Sequence, residues 1–98
     1  KGYLEFNLSP SGRWASYAFD GYRQGMRPAA ETVLVAPLSR TGTRATLAGT
    51  AELPAGARRL ALSAVIESAD GTRTYWALAH PSDKPDFHHP ESFVLDLP

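Results

Sequence analysis

The sequence has no cysteine, a single methionine and no excess of either charge. Without cysteine the chain forms no disulfide and no Cys-based zinc or iron–sulfur site, and it fits a reducing compartment, which favours the cytoplasm. The 10 basic residues balance 10 acidic ones, whereas nucleic-acid binders usually present a basic face. No apolar run approaches the ~20 residues of a membrane span. We therefore expect neither nucleic acid nor membrane among the partners of this protein.

The sequence also has no segment with sustained helical periodicity, and alternating patterns typical of β-strands take its place. A hairpin is predicted over 3–19, with its turn at Ser9-Pro10-Ser11-Gly12, because Pro presets φ and Gly allows a positive φ. Asp70-Gly71 predicts a second hairpin. Loops are predicted at Gly21–Ala30 and His80–Pro90. About seven short strands are expected: Tyr3–Leu8, Arg13–Phe19, Thr32–Ala36, Thr41–Ala51, Leu60–Ile66, Arg73–Leu78 and Ser92–Leu97.

These strands predict an all-β fold, an antiparallel β-sandwich of immunoglobulin-like or jelly-roll-like type. The length of 98 residues predicts a single domain over 1–98. Because the chain starts almost directly in a strand pattern, we also expect further sequence upstream of it.

Three stretches together resemble the DOMON-like domains of bacterial proteins, which are related to the family-9 carbohydrate-binding modules. The stretches are YLEFNLSPSGRWASYAFDGYR at Tyr3–Arg23, LSAVIESADGTRTYWALAHP at Leu62–Pro81 and KPDFHHPESFVLDLP at Lys84–Pro98. The resemblance implies a β-sandwich that binds a ligand: sugars in one branch of the family and haem in another. It also implies strands upstream of Tyr3, so that this chain is the C-terminal part of a domain.

Aromatic and polar residues near the first hairpin form a candidate binding site. Tyr3, Glu5, Trp14 and Tyr17 suit a sugar platform, in which rings stack on pyranose faces and a carboxylate binds hydroxyls. The alternative is that Trp14 or Tyr17 is a core aromatic residue. In the following loop, an aromatic ring and two guanidinium groups are suited to binding a polar or acidic ligand: Tyr22, Arg23 and Arg27. The alternative is a loop held by tyrosine packing, with the arginines in solvent.

The loop at 80–90 carries the one metal-type cluster of the sequence. His80, Asp86 and His88 are candidate metal ligands, since imidazole and carboxylate suit divalent ions, and Asp83 and His89 lie beside them. The alternative is that these are structural or surface histidines, because their spacing matches no metal motif. A haem site would pair Met26 with one of the histidines as axial ligands.

No catalytic pattern accompanies these groups. The serines lie outside any nucleophile-elbow motif, and nothing places two carboxylates as a glycosidase requires. We therefore expect no enzyme and no cofactor, but a non-catalytic module that binds a carbohydrate or a similar small polar ligand. The alternatives are a structural or interaction domain, whose partner is a second copy or the missing N-terminal segment, and a haem- or metal-binding domain.

Overall fold

The computed structural model describes residues 2–97, which form an all-β protein of short antiparallel strands. Its residues divide into two compact units at the Ala55–Gly56 boundary. The strands of the first unit are β1 (Tyr3–Leu8), β2 (Trp14–Phe19), β3 (Arg27–Pro28), β4 (Val33–Val35), β5 (Ser39–Thr41), β6 (Arg44–Thr46) and β7 (Gly49–Ala51). The second unit contains β8 (Arg59–Leu60), β9 (Ser63–Glu67), β10 (Arg73–Ala77), a 3₁₀ helix (Pro90–Ser92) and β11 (Leu95–Asp96). The sandwich and the single domain stay predictions.

In the first unit, β1, β2 and β3 form a three-stranded sheet in that order, and β4–β7 and β5–β6 form two smaller pairs. The first hairpin is confirmed, with Tyr3 opposite Phe19 and Leu8 opposite Trp14. Its turn is closed by hydrogen bonds from Gly12 N to Ser9 O (2.9 Å) and from Ser9 N to Arg13 O (3.0 Å). Gly12 has φ +88°, a conformation that favours glycine.

The sheet of β1–β3 packs through one face toward β4, since both β1 and β2 contact that strand. Leu8 on this face lies against Gly49 of β7, where an added Cβ would collide with it. Ser16 is buried on the same face, and its hydroxyl donates to the carbonyl of Glu31 at 2.7 Å. Among residues 2–97, the buried apolar side chains are Val33 and Phe19, and Phe19 lies on the opposite face of the sheet from Ser16. The core is therefore small.

A carboxylate joins the two strands of the β4–β7 pair at one end. Oε1 of Glu52 accepts hydrogen bonds from the backbone N–H and the hydroxyl of Thr32, both at 2.8 Å. These bonds hold the pKa of the Glu52 carboxyl below its ordinary value, because they favour the charged form.

In the second unit, β9 pairs with β10 and β8 pairs with β11. The β9–β10 hairpin is also confirmed, and its turn repeats that of the first hairpin. Gly71 N donates to Ser68 O (2.9 Å), Ser68 N donates to Thr72 O (2.8 Å), and Gly71 has φ +88°. Oδ1 of Asp70 accepts from Thr72 N at 2.9 Å, which lowers the pKa of the Asp70 carboxyl. Both turns match the three-residue hairpin loop that ends in a left-handed glycine.

Four predicted segments differ from the structure. The loop at 21–30 contains β3, which adds a third strand beside β2. The strand at 41–51 is divided, because Gly42 turns the chain with φ +59° and β6 pairs with β5 whereas β7 pairs with β4. Similarly, the strand at 60–66 is split between β8 and β9, which have different partners. The strand at 92–97 is reduced to β11, because the 3₁₀ helix that precedes it begins at Pro90, capped by the imidazole of His89.

Candidate functional site

The sugar-site residues predicted from the sequence all lie in the first unit, on the three-stranded sheet or on the chain between β2 and β3. The register places Glu5 directly opposite Tyr17 and Tyr3 directly opposite Phe19, so all four share one face of the sheet. The rings of Tyr3 and Phe19 are stacked, with centroids 4.7 Å apart and planes inclined by 10°. Glu5 and Tyr17 are half-buried. The face therefore offers a carboxylate beside aromatic rings.

Trp14 lies on the other face of the sheet, opposite Leu8, and 43% of its surface is exposed. Trp14 is therefore not fully buried, whereas Tyr17, the other aromatic residue proposed for the core, is half-buried. Trp14 borders an open depression of about 240 Å³ at the turn end of the hairpin. The depression is lined by Asn7, Leu8, Ser9, Arg13, Trp14 and Ala15.

Asn7 connects this depression to the carboxylate of Glu5. Asn7 is one of the residues that line the depression, and its side-chain amide, on the face of Glu5, donates to Oε1 of Glu5 at 3.4 Å. Asn7 and Arg13 were not among the predicted site residues. The signal that could have found them is their position next to the turn, which brings both of them beside Trp14.

Tyr22 and Arg23 lie at the opposite end of β2 from Trp14. The Arg23 guanidinium is 5.7 Å from the centroid of the exposed Tyr22 ring, a cation–π arrangement. Arg23 has φ +53°, which is unusual for a residue with a side chain, and its N–H donates to the Tyr3 hydroxyl at 3.2 Å. This bond attaches the Tyr22–Arg23 pair to the face that carries Glu5 and Tyr17.

Arg27, a predicted ligand-binding residue, forms an ion pair with Asp20. Its Nη1 contacts Oδ1 of Asp20 at 2.8 Å and the carbonyl oxygen of Gly25 at 2.9 Å. Gly25 has φ +70°, and an added Cβ there would collide with the Asp20 side chain. Arg27 thus secures the connection between β2 and β3.

The site residues do not converge on one point. At about 3.3 Å per residue along a strand, the five steps from Trp14 to Phe19 span about 17 Å. Trp14 with Asn7 and Tyr22 with Arg23 therefore lie at opposite ends of the hairpin, and Glu5 and Tyr17 lie between them. A single sugar ring would not reach both ends.

The histidine loop belongs to the second unit and uses its polar atoms in local turns. Asp86 Oδ1 accepts from His88 N at 3.1 Å, and His89 Nδ1 accepts from Glu91 N at 3.1 Å. Within residues 2–97, no three His, Asp or Glu side chains are grouped so that they could hold a metal ion. Met26 is exposed and belongs to the first unit.

No protein-family model, curated protein or solved structure shows significant similarity to this chain. The part of the chain that the structure describes also contains no helix with the length and hydropathy to cross a membrane.

Proposed function

We propose that this protein is a non-catalytic module that binds a carbohydrate, along the hairpin of β1 and β2. The observation that carries the proposal is the exposed Trp14, which lines a depression together with Asn7 and Arg13. Sugar recognition combines an apolar ring face with a few placed hydrogen-bonding groups. The surface of the depression is almost entirely apolar, and Asn7 and Arg13 at its border carry the polar groups. The resemblance to DOMON-like domains, with their carbohydrate-binding relatives, points to the same ligand class.

The layout of the hairpin favours an extended oligosaccharide over a single sugar. The Asn7–Glu5 hydrogen bond leads from the Trp14 depression to the pair of Glu5 and Tyr17. The Arg23–Tyr3 bond then links that face to the exposed ring of Tyr22. Because Trp14 lies on the opposite face of the sheet from Glu5, the ligand would pass around the turn end of the hairpin beside Asn7. One ring would stack on Trp14, and later rings would meet the carboxylate and the second aromatic group.

The test replaces Trp14 with alanine and measures binding to di- to hexasaccharides, neutral and acidic, by glycan array and then by isothermal titration calorimetry. We expect weak, metal-independent binding in the wild-type protein and a loss of about tenfold or more in Trp14→Ala, since covering an exposed indole contributes roughly 1.5 kcal/mol. Longer oligosaccharides should bind more tightly than disaccharides.

Trp76→Ala is the matched control, because it removes another exposed tryptophan, 59% accessible, from the second unit. It should leave glycan affinity unchanged. Circular dichroism would show that both variants keep the β-sheet signal. A folded wild-type protein that binds no oligosaccharide on the array, or an equal loss in both tryptophan variants, would contradict the proposal.

An exposed apolar face on the β9–β10 hairpin favours a second function, an interaction domain that pairs with another copy of this chain. Leu78 N donates to Leu62 O at 3.2 Å, which extends the ladder and places both leucines on the face of Trp76. Ile66 shares this face, and all four side chains are exposed. Among the described residues, β9 and β10 pair only with each other, so their outer edges can accept another strand. Self-association would cover both the edge and the apolar face.

Self-association is tested by sedimentation velocity over a range of protein concentrations. We expect a monomer–dimer equilibrium in the wild-type protein and a monomer in Ile66→Lys, because the lysine would carry a charge into the interface. Leu34→Lys is the control, since Leu34 is also exposed but lies on β4 in the first unit. A wild-type protein that stays monomeric at high concentration would exclude this function.

A further inference from the structure

A second cavity, unrelated to the proposed sugar site, lies in the second unit between β10 and the loop that follows it. It is as open to solvent as the depression beside Trp14, and its volume of about 420 Å³ accommodates a small molecule that stays partly exposed. Side chains of opposite charge line it, together with an aromatic ring and hydroxyl groups: Arg73, Thr74, Tyr75, His80, Ser82 and Asp83.

Arg73 supplies the positive charge of the cavity. Its Nε lies 3.8 Å from Oε1 of Glu67, its cross-strand neighbour, and 60% of its side chain is exposed. Within residues 2–97, the Arg73 guanidinium has no hydrogen-bond or ion-pair partner other than Glu67. At 3.8 Å and with both side chains exposed, this contact is a loose surface ion pair. The two Nη nitrogens of Arg73 therefore stay available as a fork that matches a carboxylate.

Asp83 supplies the negative charge. Its carboxylate makes no hydrogen bond or ion pair with the described part of the chain, and it is therefore not paired with Arg73 across the cavity. A ligand that carried only a negative charge would therefore meet repulsion from Asp83, and one that carried only a positive charge would meet repulsion from Arg73. A ligand with both charges complements both residues.

Aromatic contacts hold the two walls of this cavity together. The ring of Phe87 lies 6.3 Å from the ring of Tyr75 on β10 and 6.3 Å from the imidazole of His80 on the loop, both measured between centroids. Phe87 itself is half-buried. The strand wall and the loop wall are thus fixed by a common neighbour, and the partly exposed Tyr75 ring remains available to an apolar part of the ligand.

We propose that this cavity binds a small zwitterion with a carboxylate and an ammonium group, of which α-amino acids are the simplest members. The carboxylate accepts hydrogen bonds from the Arg73 fork, the ammonium group donates to Asp83, and an apolar substituent packs on Tyr75. The inference does not depend on the sugar site, because none of these residues belongs to the first unit.

The proposal is tested by ¹H–¹⁵N NMR titration of the whole chain with glycine, phenylalanine and γ-aminobutyrate, which differ in charge spacing and in apolar surface. We expect at least one of them to shift the amide signals of residues 73–75 and 80–83. Two derivatives of whichever compound binds then test the two charges. Its methyl ester, which lacks the carboxylate, and its N-acetyl derivative, which lacks the ammonium group, should each bind about tenfold more weakly than the parent compound.

Arg73→Gln and Asp83→Asn should each weaken zwitterion binding by about tenfold or more. Arg59→Gln is the matched control, because Arg59 makes a similar exposed cross-strand pair with Asp96 in the same unit, at 3.7 Å. It should bind the zwitterion as the wild type does. Glu67→Gln should retain binding, since it leaves the Arg73 fork in place. The proposal is overturned if no zwitterion shifts these amides, if the ester and the parent compound bind equally, or if Arg73→Gln binds normally.

Discussion

Replacing Phe19 with alanine is expected to lower the free energy of unfolding by about 3–5 kcal/mol, the largest effect of any single substitution considered for this protein. Phe19 is 5% exposed and is stacked on Tyr3 across the β1–β2 pair. Its truncation removes buried apolar surface and leaves a cavity that short strands cannot easily close. Domains of this size have only about 5–15 kcal/mol in total, so the loss is a large share of it.

Urea titration followed by tryptophan fluorescence and circular dichroism measures this effect. Phe19→Leu should cost about 1.5 kcal/mol or less, because it keeps most of the buried volume. Tyr22→Ala is a second control, since the Tyr22 ring is exposed and its removal should change stability by less than about 0.5 kcal/mol. The expected loss is about 3–5 kcal/mol. If Phe19→Ala instead unfolds with a free energy within about 1 kcal/mol of wild type, the buried Phe19 ring does not stabilise the first unit as proposed.

Ser16→Ala is expected to lower the free energy of unfolding by about 1–3 kcal/mol, although it removes only one oxygen atom. Ser16 is 7% exposed, and its hydroxyl donates to the carbonyl of Glu31 at 2.7 Å. Without the hydroxyl that part-buried carbonyl loses its donor, and a polar group shielded from water without a partner is costly. The bond also fixes the segment that leads from β3 into β4, because Ala29 N donates to Ser16 O at 3.0 Å beside it.

Amide hydrogen exchange locates this second effect as well as measuring it. In Ser16→Ala, amide exchange should be faster around residues 29–33 than in wild type, and it should change less in the β9–β10 hairpin. The urea concentration at the midpoint of unfolding should also be lower. Ser63→Ala removes an exposed serine hydroxyl from β9. It should leave the exchange rates at residues 29–33 unchanged and alter the free energy of unfolding by less than about 0.5 kcal/mol. Equal exchange rates at residues 29–33 in wild type and Ser16→Ala would refute the anchoring role of the hydroxyl.

The two hairpins illustrate which parts of a β fold local chemistry predicts well. Ser9-Pro10-Ser11-Gly12 and Ser68-Ala69-Asp70-Gly71 each place a glycine where the turn needs a positive φ. The alternating residues on either side then set the register, because a shift by one residue would move every side chain to the opposite face. Both hairpins were therefore predictable from short stretches of sequence, and so was the shared face of Glu5 and Tyr17.

The strands that pair over longer distances were predicted less well. The apolar run at 60–66 has the pattern of one strand, yet Leu60 pairs with Leu95 of β11 while Ala64 pairs with Trp76 of β10. Alternation within a segment carries no information about which distant strand it will meet. For the same reason β3 was missed: Arg27 and Pro28 have no strand pattern of their own and join the sheet because β2 has a free edge.

The sequence by itself determined the all-β class, the two tight hairpins and the residue types available for binding, because these depend on φ preferences and on side-chain alternation over a few residues. Only the tertiary structure decided which of those residues meet. It joined Arg27 to Asp20, attached the Tyr22–Arg23 pair to the β1–β2 sheet through the Tyr3 hydroxyl, and brought Arg73 and Asp83 to one cavity. Such neighbours are fixed by strand pairing and chain reversal across the unit, which no local pattern encodes.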